Sequence, residues 1–312
     1  MTLPVLESGF TTRFAPAPTG YLHLGHAVNA AWTWGIARAF GGRVLLRVED
    51  HDRGRSKPEY EAALREDLDW LGLEPDGFSR QSDRGERYAA RLSTLEAAGL
   101  AYACTCTRAD FEGRYPGTCR DRHVDPHATP ARRVAIEATA IDRVVIEPTT
   151  AEGVRSGGSL EHFSDLRLGA QSQDPAARFG DVLVRDRLGN WTYQFAVVVD
   201  DLEQDVDLII RGEDLLESTG LQLRLARLLG RAAPPRFLHH PLVRHPDGRK
   251  LSKSSNDTGL RELRAAGRTP DEVLGLAAHL GELQAAPTPV NLDGLAALAR
   301  RWTDPSAARR PS

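Results

Sequence analysis

From residue 10 onward the chain alternates short apolar runs with longer stretches of helical period, while residues 1–9 read as a disordered lead-in. An opening apolar run passes through Pro16-Ala17-Pro18-Thr19-Gly20 into a helical stretch over Ala27–Phe40. Arg43–Val48, set off by Gly41-Gly42, reads as a strand ending in Glu49-Asp50. Strand, helix and strand in this span make a βαβ unit, so a parallel sheet and an α/β fold are expected. Tyr60, Ala63, Leu64, Asp67, Leu68 and Leu71 share one face of a helix over Pro58–Leu71. Another helix is expected from Tyr88 to Ala98, closed by Gly99.

The pattern weakens over residues 120–180. Arg133–Glu137 and Val144–Ile146 look like short strands between Pro, Gly and Ser. This reads as an insertion whose His, Asp and Arg residues lie at the surface. Chemistry returns at Gly180–Arg185 and Asn190–Asp201, and apolar content leaves the second undecided between strand and helix. Val206–Ile210 reads as a buried strand ending in the charged run Arg211-Gly212-Glu213-Asp214. Helices are expected at Leu215–Leu229, Leu260–Ala266, Asp271–Leu283 and Asp293–Trp302. The chain thus divides into a first half-domain (1–100), an insertion (101–180), a second half-domain (181–255) and a helical C-terminal region (256–312).

At 312 residues the chain can bury a sizeable core. Forty basic against 43 acidic side chains give a formal charge of −3, which points to no general affinity for nucleic acid. With no membrane-length apolar run and no signal-peptide pattern, a cytoplasmic protein is expected. The three cysteines, Cys104, Cys106 and Cys119, cannot pair completely, and their clustering points to a metal. Soft thiolates favour zinc. The fourth ligand stays open between His123 and Tyr115, whose phenol would have to lose its proton; three buried reduced cysteines without metal are the alternative.

Two motifs carry further chemistry. His23-Leu24-Gly25-His26 sits where the first helix begins, and a helix start offers free N–H groups and partial positive charge to a phosphate. Gly25 lets a ligand approach the backbone, and the imidazoles can donate to phosphate oxygens. Lys250-Leu251-Ser252-Lys253-Ser254 follows an Asp247-Gly248 turn and could clamp a polyphosphate. Glu49, at a strand end, is expected to face the same crevice as Arg13 and the histidines; the alternative is a capping carboxylate for the next helix.

The pair of motifs resembles the His-Ile-Gly-His and Lys-Met-Ser-Lys-Ser signatures of class I aminoacyl-tRNA synthetases. Arg13-Phe14-Ala15-Pro16, Val48-Glu49-Asp50-His51-Asp52, Gln81-Ser82-Asp83-Arg84 and Ile210-Arg211-Gly212-Glu213-Asp214 resemble glutamyl-tRNA synthetases in particular. Those enzymes continue into a large helical anticodon-binding region, whereas this sequence stops at Ser312. Cys-x-Cys followed by Tyr-x-x-x-Cys resembles the truncated, glutamyl-Q branch of the family, which attaches glutamate to queuosine in the anticodon of tRNA(Asp).

The resemblance implies a Rossmann-like catalytic domain with a zinc-containing insertion and a short helical C-terminal region. It implies that Arg13 and Arg211 bind the carboxylates of glutamate, that Glu49 holds its ammonium and that Tyr193 adds a hydrogen bond. At Ala17 the family usually has serine, so one hydroxyl contact is missing. His23, Gly25, His26 and Lys253, with Lys250 in support, are implied to bind ATP with Mg2+ and to stabilise its transition state. Cys104, Cys106, Tyr115 and Cys119 are implied to hold one structural zinc. Expected partners are ATP, L-glutamate and queuosine-bearing tRNA(Asp), the protein acting as a monomer away from membranes. Arg114, Arg120 and Arg122 are candidates for gripping RNA, with an ordinary solvated surface as the alternative. Competing functions are a minimal synthetase charging an acceptor end, a small-molecule nucleotidyltransferase and a non-enzymatic tRNA-binding paralogue.

Overall fold

A computed structural model describes residues 8–52, 54–137, 160–243 and 259–303. Its first unit is β1 (Thr11–Phe14), α1 (Leu24–Phe40) and β2 (Arg43–Val48), followed by α2 (Pro58–Leu71), β3 (Gly77–Arg80) and α3 (Gly85–Ala97). β1, β2 and β3 form a parallel ladder, Thr11 opposite Arg43 and Leu45 opposite Gly77. Gly9 belongs to this unit and not to a loose lead-in, since its N–H donates to Gly41 O at 3.2 Å.

Helix α1 is apolar nearly all round, as a helix covered on both sides must be. It lies under the sheet and against the C-terminal helices, where Trp32 Nε1 donates to Gly281 O at 3.0 Å. Gly41, at φ 66°, ends it in the left-handed conformation that glycine adopts without strain.

A small antiparallel sheet follows, built from β4 (Ala101–Ala103), β5 (Arg132–Val134) and, later, β8 (Val182–Arg185). β6 (Glu161–Asp165) and β7 (Gly169–Gln173), which lie within the span expected to be an insertion, instead join the second main ladder. A five-residue turn of helix, α4 (Pro175–Phe179), leads into β8. The second ladder is completed by β9 (Leu208–Gly212) and β10 (Arg236–His240), with order β7-β6-β10-β9. All its pairings are parallel except the β6–β7 hairpin.

The stretch left undecided by its composition is a helix, α5 (Tyr193–Glu203), continued in the fold by α6 (Thr219–Leu228). Phe195 to Asp201 are all buried, so periodicity could not show a polar face. Burial on every side overrides the slight reluctance of three consecutive valines to be helical. The helix expected from Leu215 begins instead as a 3₁₀ turn over Glu213–Ser218 and becomes α-helical at Thr219. α7 (Leu260–Ala265), α8 (Pro270–Leu280) and α9 (Leu292–Thr303) close the chain, α8 and α9 packing on α1.

The expectation that the His, Asp and Arg residues of 120–180 lie at the surface is corrected for Asp165, 1% exposed, and Arg133, 7% exposed, and Glu161 of the same span is fully buried. Glu161 meets Arg224 of α6 at 2.5 Å with both side chains fully buried. Such a pair costs several kcal/mol, on the order of 3–5, if one partner alone is removed. The strand expected at Val144–Ile146 lies outside the described residues, as does the lysine loop. Among the described residues no helix is long and apolar enough to cross a membrane.

The two parallel ladders meet where β1 lies beside β9. Asp207 N donates to Thr11 O at 2.9 Å, and Thr11 N donates to the Asp207 carboxylate at 3.0 Å. Chain order reverses at this seam, which opens a crevice beyond the C-terminal ends of both strands.

Candidate functional site

A cleft of about 610 Å³ occupies that crevice, within the size range of ligand pockets. Its wall includes Arg13, Ala17, His23, Gly25, His26, Glu49, Tyr193 and Arg211, so every described residue expected to bind ATP or glutamate lies on one cavity. Lys250 and Lys253 lie outside the described residues.

At one end is the start of α1. His23 is its N-cap, so His-x-Gly-His forms the first turn rather than a preceding loop. The Gly25 N–H donates to His23 Nδ1 at 3.1 Å, and the His23 N–H donates to His26 Nδ1 at 3.2 Å. Each neutral ring therefore carries its proton on Nε2. The rings lie 4.0 Å apart between centroids. This arrangement combines two imidazole donors with the positive end of a helix, a setting suited to phosphate. Glycine at 25 lets the His23 ring keep this place, because a Cβ there would sit 2.9 Å from His23 Cε1.

The other end is charged and dry. Arg13 ends near the tip of β1, Glu49 just past β2, and Arg211 near the tip of β9; all three are buried. Tyr193 opens α5 between them. Glu49 does not cap the next helix, because α2 begins after Lys57 with no side-chain cap. Burial pushes the Glu49 carboxyl up to about 7 even though Arg47 and Arg13 favour its charged form. Arg211 presents the opposite case. Its guanidinium is held by neutral acceptors, His239 Nε2 at 3.0 Å, Gln222 Oε1 at 2.6 Å and Thr219 Oγ1 at 2.8 Å. Among the described residues no ion pair joins it to a carboxylate, and burial lowers its pKa.

Behind this floor lies a buried charge network absent from the sequence expectations. Asp201 accepts from Arg13 Nε at 3.1 Å and from Arg47 Nη2 at 2.5 Å. Arg13 also donates to Ile210 O at 3.2 Å, which ties β1 to β9. The adjacent Asp200 accepts from Gln81, Arg84 and Tyr88, and Gln81 reaches His51 at the cleft at 2.7 Å. Its sequence signals are a charged Arg47 inside an apolar strand and two acids ending an apolar helical run, since buried charges need partners.

A second cluster lies beside the small sheet. Cys104, Cys106 and Cys119 place their sulfurs within 4.8 Å of one another. The Tyr115 hydroxyl is 3.4 Å from Cys104 Sγ and 3.8 Å from Cys106 Sγ. Four donors around one zinc stand about 3.8 Å apart when Zn–S is about 2.3 Å, so the set fits a tetrahedral ion. Arg133 stacks 3.7 Å from the Tyr115 ring centre and donates to Cys104 at 3.3 Å, placing a cation beside the cluster. His123 is exposed with φ 48° and takes no part in the cluster. Of the arginines expected to grip RNA, Arg120 is tied to Asp181 and Glu137, while Arg114 and Arg122 are exposed.

The family described as tRNA synthetases class I (E and Q), catalytic domain, matches residues 10–284. A protein of Rhodobacter capsulatus named glutamyl-Q tRNA(Asp) synthetase is 39% identical over 84% of this chain and 97% of its own length. A glutamate–tRNA ligase 2 of Methylorubrum populi is 41% identical over 92% of this chain but only 63% of its own length. The crystal structure of a glutamate–tRNA synthetase from Elizabethkingia anophelis superposes with a TM-score of 0.73 at 26% identity, covering 94% of this chain and 65% of that one. The chain thus spans less than two thirds of these last two proteins.

Proposed function

Because the chain belongs to the class I tRNA synthetases of the E and Q type, we propose that it activates glutamate with ATP and transfers it to the queuosine base of tRNA(Asp). The observation that carries the chemistry is the single cleft that joins a phosphate-suited helix start to a buried pocket of two guanidiniums, a carboxylate and a phenol. The choice of RNA rests on the relatives named glutamyl-Q tRNA(Asp) synthetase, matched along most of their length.

Glutamate at neutral pH carries two carboxylates and one ammonium, the complement of Arg13, Arg211 and Glu49, with Tyr193 as a further hydrogen-bond partner. Ala17 supplies no hydroxyl, so the contact made by serine elsewhere in the family falls to water or backbone. The α-carboxylate then attacks the α-phosphorus of ATP, and the bond to the departing pyrophosphate breaks. No protein nucleophile is needed. His23 and His26 donate from Nε2 to phosphate oxygens as charge develops, and Lys253 with Lys250 holds the phosphates. Mg2+ bound with ATP supplies further charge neutralisation. In the second step a hydroxyl of the queuosine cyclopentene ring attacks the activated carbonyl and AMP leaves. The enzyme acts in the cytoplasm as a monomer, and Cys104, Cys106, Tyr115 and Cys119 hold one structural zinc.

Glutamate-dependent exchange of pyrophosphate into ATP tests the first step. Absence of exchange with folded, zinc-loaded protein contradicts the reading and favours a nucleotidyltransferase or a binding protein. The exchange also carries a pH signature. Only ionised Glu49 pairs with the ammonium, and burial pushes its carboxyl up to about 7. KM for glutamate should therefore rise as pH falls below 7, approaching about tenfold per unit, and Glu49→Gln should flatten the dependence. A KM that stays level between pH 5.5 and pH 7.5, both approximate limits of the test, removes Glu49 from the ammonium site.

The zinc assignment has its own test in metal content after dialysis. Tyr115→Phe should lose zinc more readily than the parent protein, and His123→Ala should retain it. The reverse ranking makes His123 the ligand.

A further inference from the structure

We infer that Asp165 and His239 form a positioning relay that orients Arg211 toward a substrate carboxylate. The inference rests on the reading that Arg211 binds glutamate. Strand register sets His239 directly opposite Arg211 on β10 and β9, and Asp165 ends the neighbouring strand β6. His239 Nδ1 lies 2.7 Å from the Asp165 carboxylate, which also accepts the His239 backbone N–H at 3.0 Å. The other carboxylate oxygen accepts the N–H groups of Arg167 and Leu168 at 2.9 and 2.8 Å, so Asp165 is fixed at both ends. Both side chains of the pair are fully buried.

This geometry selects one tautomer. An ionised carboxylate can only accept, so Nδ1 must carry the proton. Nε2 then has a lone pair, and it faces the Arg211 Nε–H at 3.0 Å. Burial keeps the ring neutral, lowering its pKa despite Asp165. The consequence is a division of labour. A carboxylate placed directly on Arg211 would compete with glutamate for the guanidinium. A neutral imidazole instead fixes its angle while the negative charge stays one residue away. Gln222 and Thr219 hold Nη1 and Nη2 with neutral acceptors too, and Tyr193, on the cleft wall, is a further hydrogen-bond partner of the guanidinium. The Asp165–His239 pair thus acts on orientation in the way a triad aspartate fixes a catalytic imidazole, but here the oriented group binds substrate.

Two measurements test the relay. In protein labelled with ¹⁵N at histidine, the His239 signal, assigned by its loss in His239→Leu, should report a neutral ring protonated on Nδ1. A ring protonated on Nε2, or on both nitrogens, overturns the inference whatever the enzyme does. In pyrophosphate exchange, His239→Leu should raise KM for glutamate about tenfold or more, with KM for ATP and kcat at saturation near the parent values. His239→Gln, which keeps an acceptor, should recover most of the loss. An unchanged glutamate KM, a joint rise in both KM values, or no recovery in His239→Gln contradicts a positioning role. If the parent protein shows no glutamate-dependent exchange, the functional reading has failed, and the tautomer measurement still decides whether the relay exists.

Discussion

Asp201→Ala should lose about 3–5 kcal/mol of stability and most of the affinity for glutamate. The carboxylate is the shared anion of two buried guanidiniums, Arg13 at 3.1 Å and Arg47 at 2.5 Å. Burial would raise its pKa, but these two cations hold it below the ordinary carboxylate value. Among the described residues its removal leaves Arg47, fully buried, with only Asp200 at 3.9 Å and Glu49 at 4.0 Å as counter-ions. Glu49 is then drawn toward Arg47 and away from the ammonium of the proposed glutamate, and Arg13 loses the contact that fixes its Nε. A thermal midpoint lower by roughly 10 °C, with KM for glutamate raised more than KM for ATP, is the expected result. An Asp201→Ala protein that melts with the parent and binds glutamate normally would show that the pocket does not depend on this charge network.

The second large effect is expected at Gly25. An alanine Cβ would meet His23 Cε1 at 2.9 Å and Nδ1 at 3.1 Å, inside any comfortable contact. The imidazole must swing out, breaking the hydrogen bond from Gly25 N that sets both its angle and its tautomer. A displacement on the order of 1 Å in a positioning group can cost about a hundredfold in rate. Gly25→Ala should therefore lower kcat for exchange by about that factor while folding normally, because the side chain projects into the cleft and not the core. Equal rates for the two proteins would remove His23 from transition-state stabilisation.

The outline of the site could be read in the sequence because its residues sit at junctions. Arg13, Glu49 and Arg211 each fall at or near the end of an apolar strand, and in a parallel sheet those ends share one crevice. His23, Gly25 and His26 mark a helix start, which needs only local pattern to find. The supports escaped because buried partners are distant in the chain: Asp201 lies far in sequence from Arg13 and Arg47, and Asp165 far from His239. A single sequence displays the anomaly of a charge in an apolar run but not the partner that resolves it. The helix at Tyr193–Glu203 was ambiguous for a related reason, since full burial erases the polar face that distinguishes helix from strand. Tyr115 against His123 illustrates the limit of spacing. Both residues stand four positions from Cys119, so spacing leaves the choice open, and only the fold shows the Tyr115 hydroxyl 3.4 Å from Cys104 Sγ while His123 is exposed.

The RNA target is decided by offering labelled glutamate and ATP with tRNA(Asp) from cells that make queuosine and from cells that do not. Label is expected on the queuosine-containing tRNA alone. Label on both tRNA(Asp) preparations, or on the acceptor end of tRNA(Glu), would contradict it and identify an enzyme that shares the activation chemistry but charges a different target.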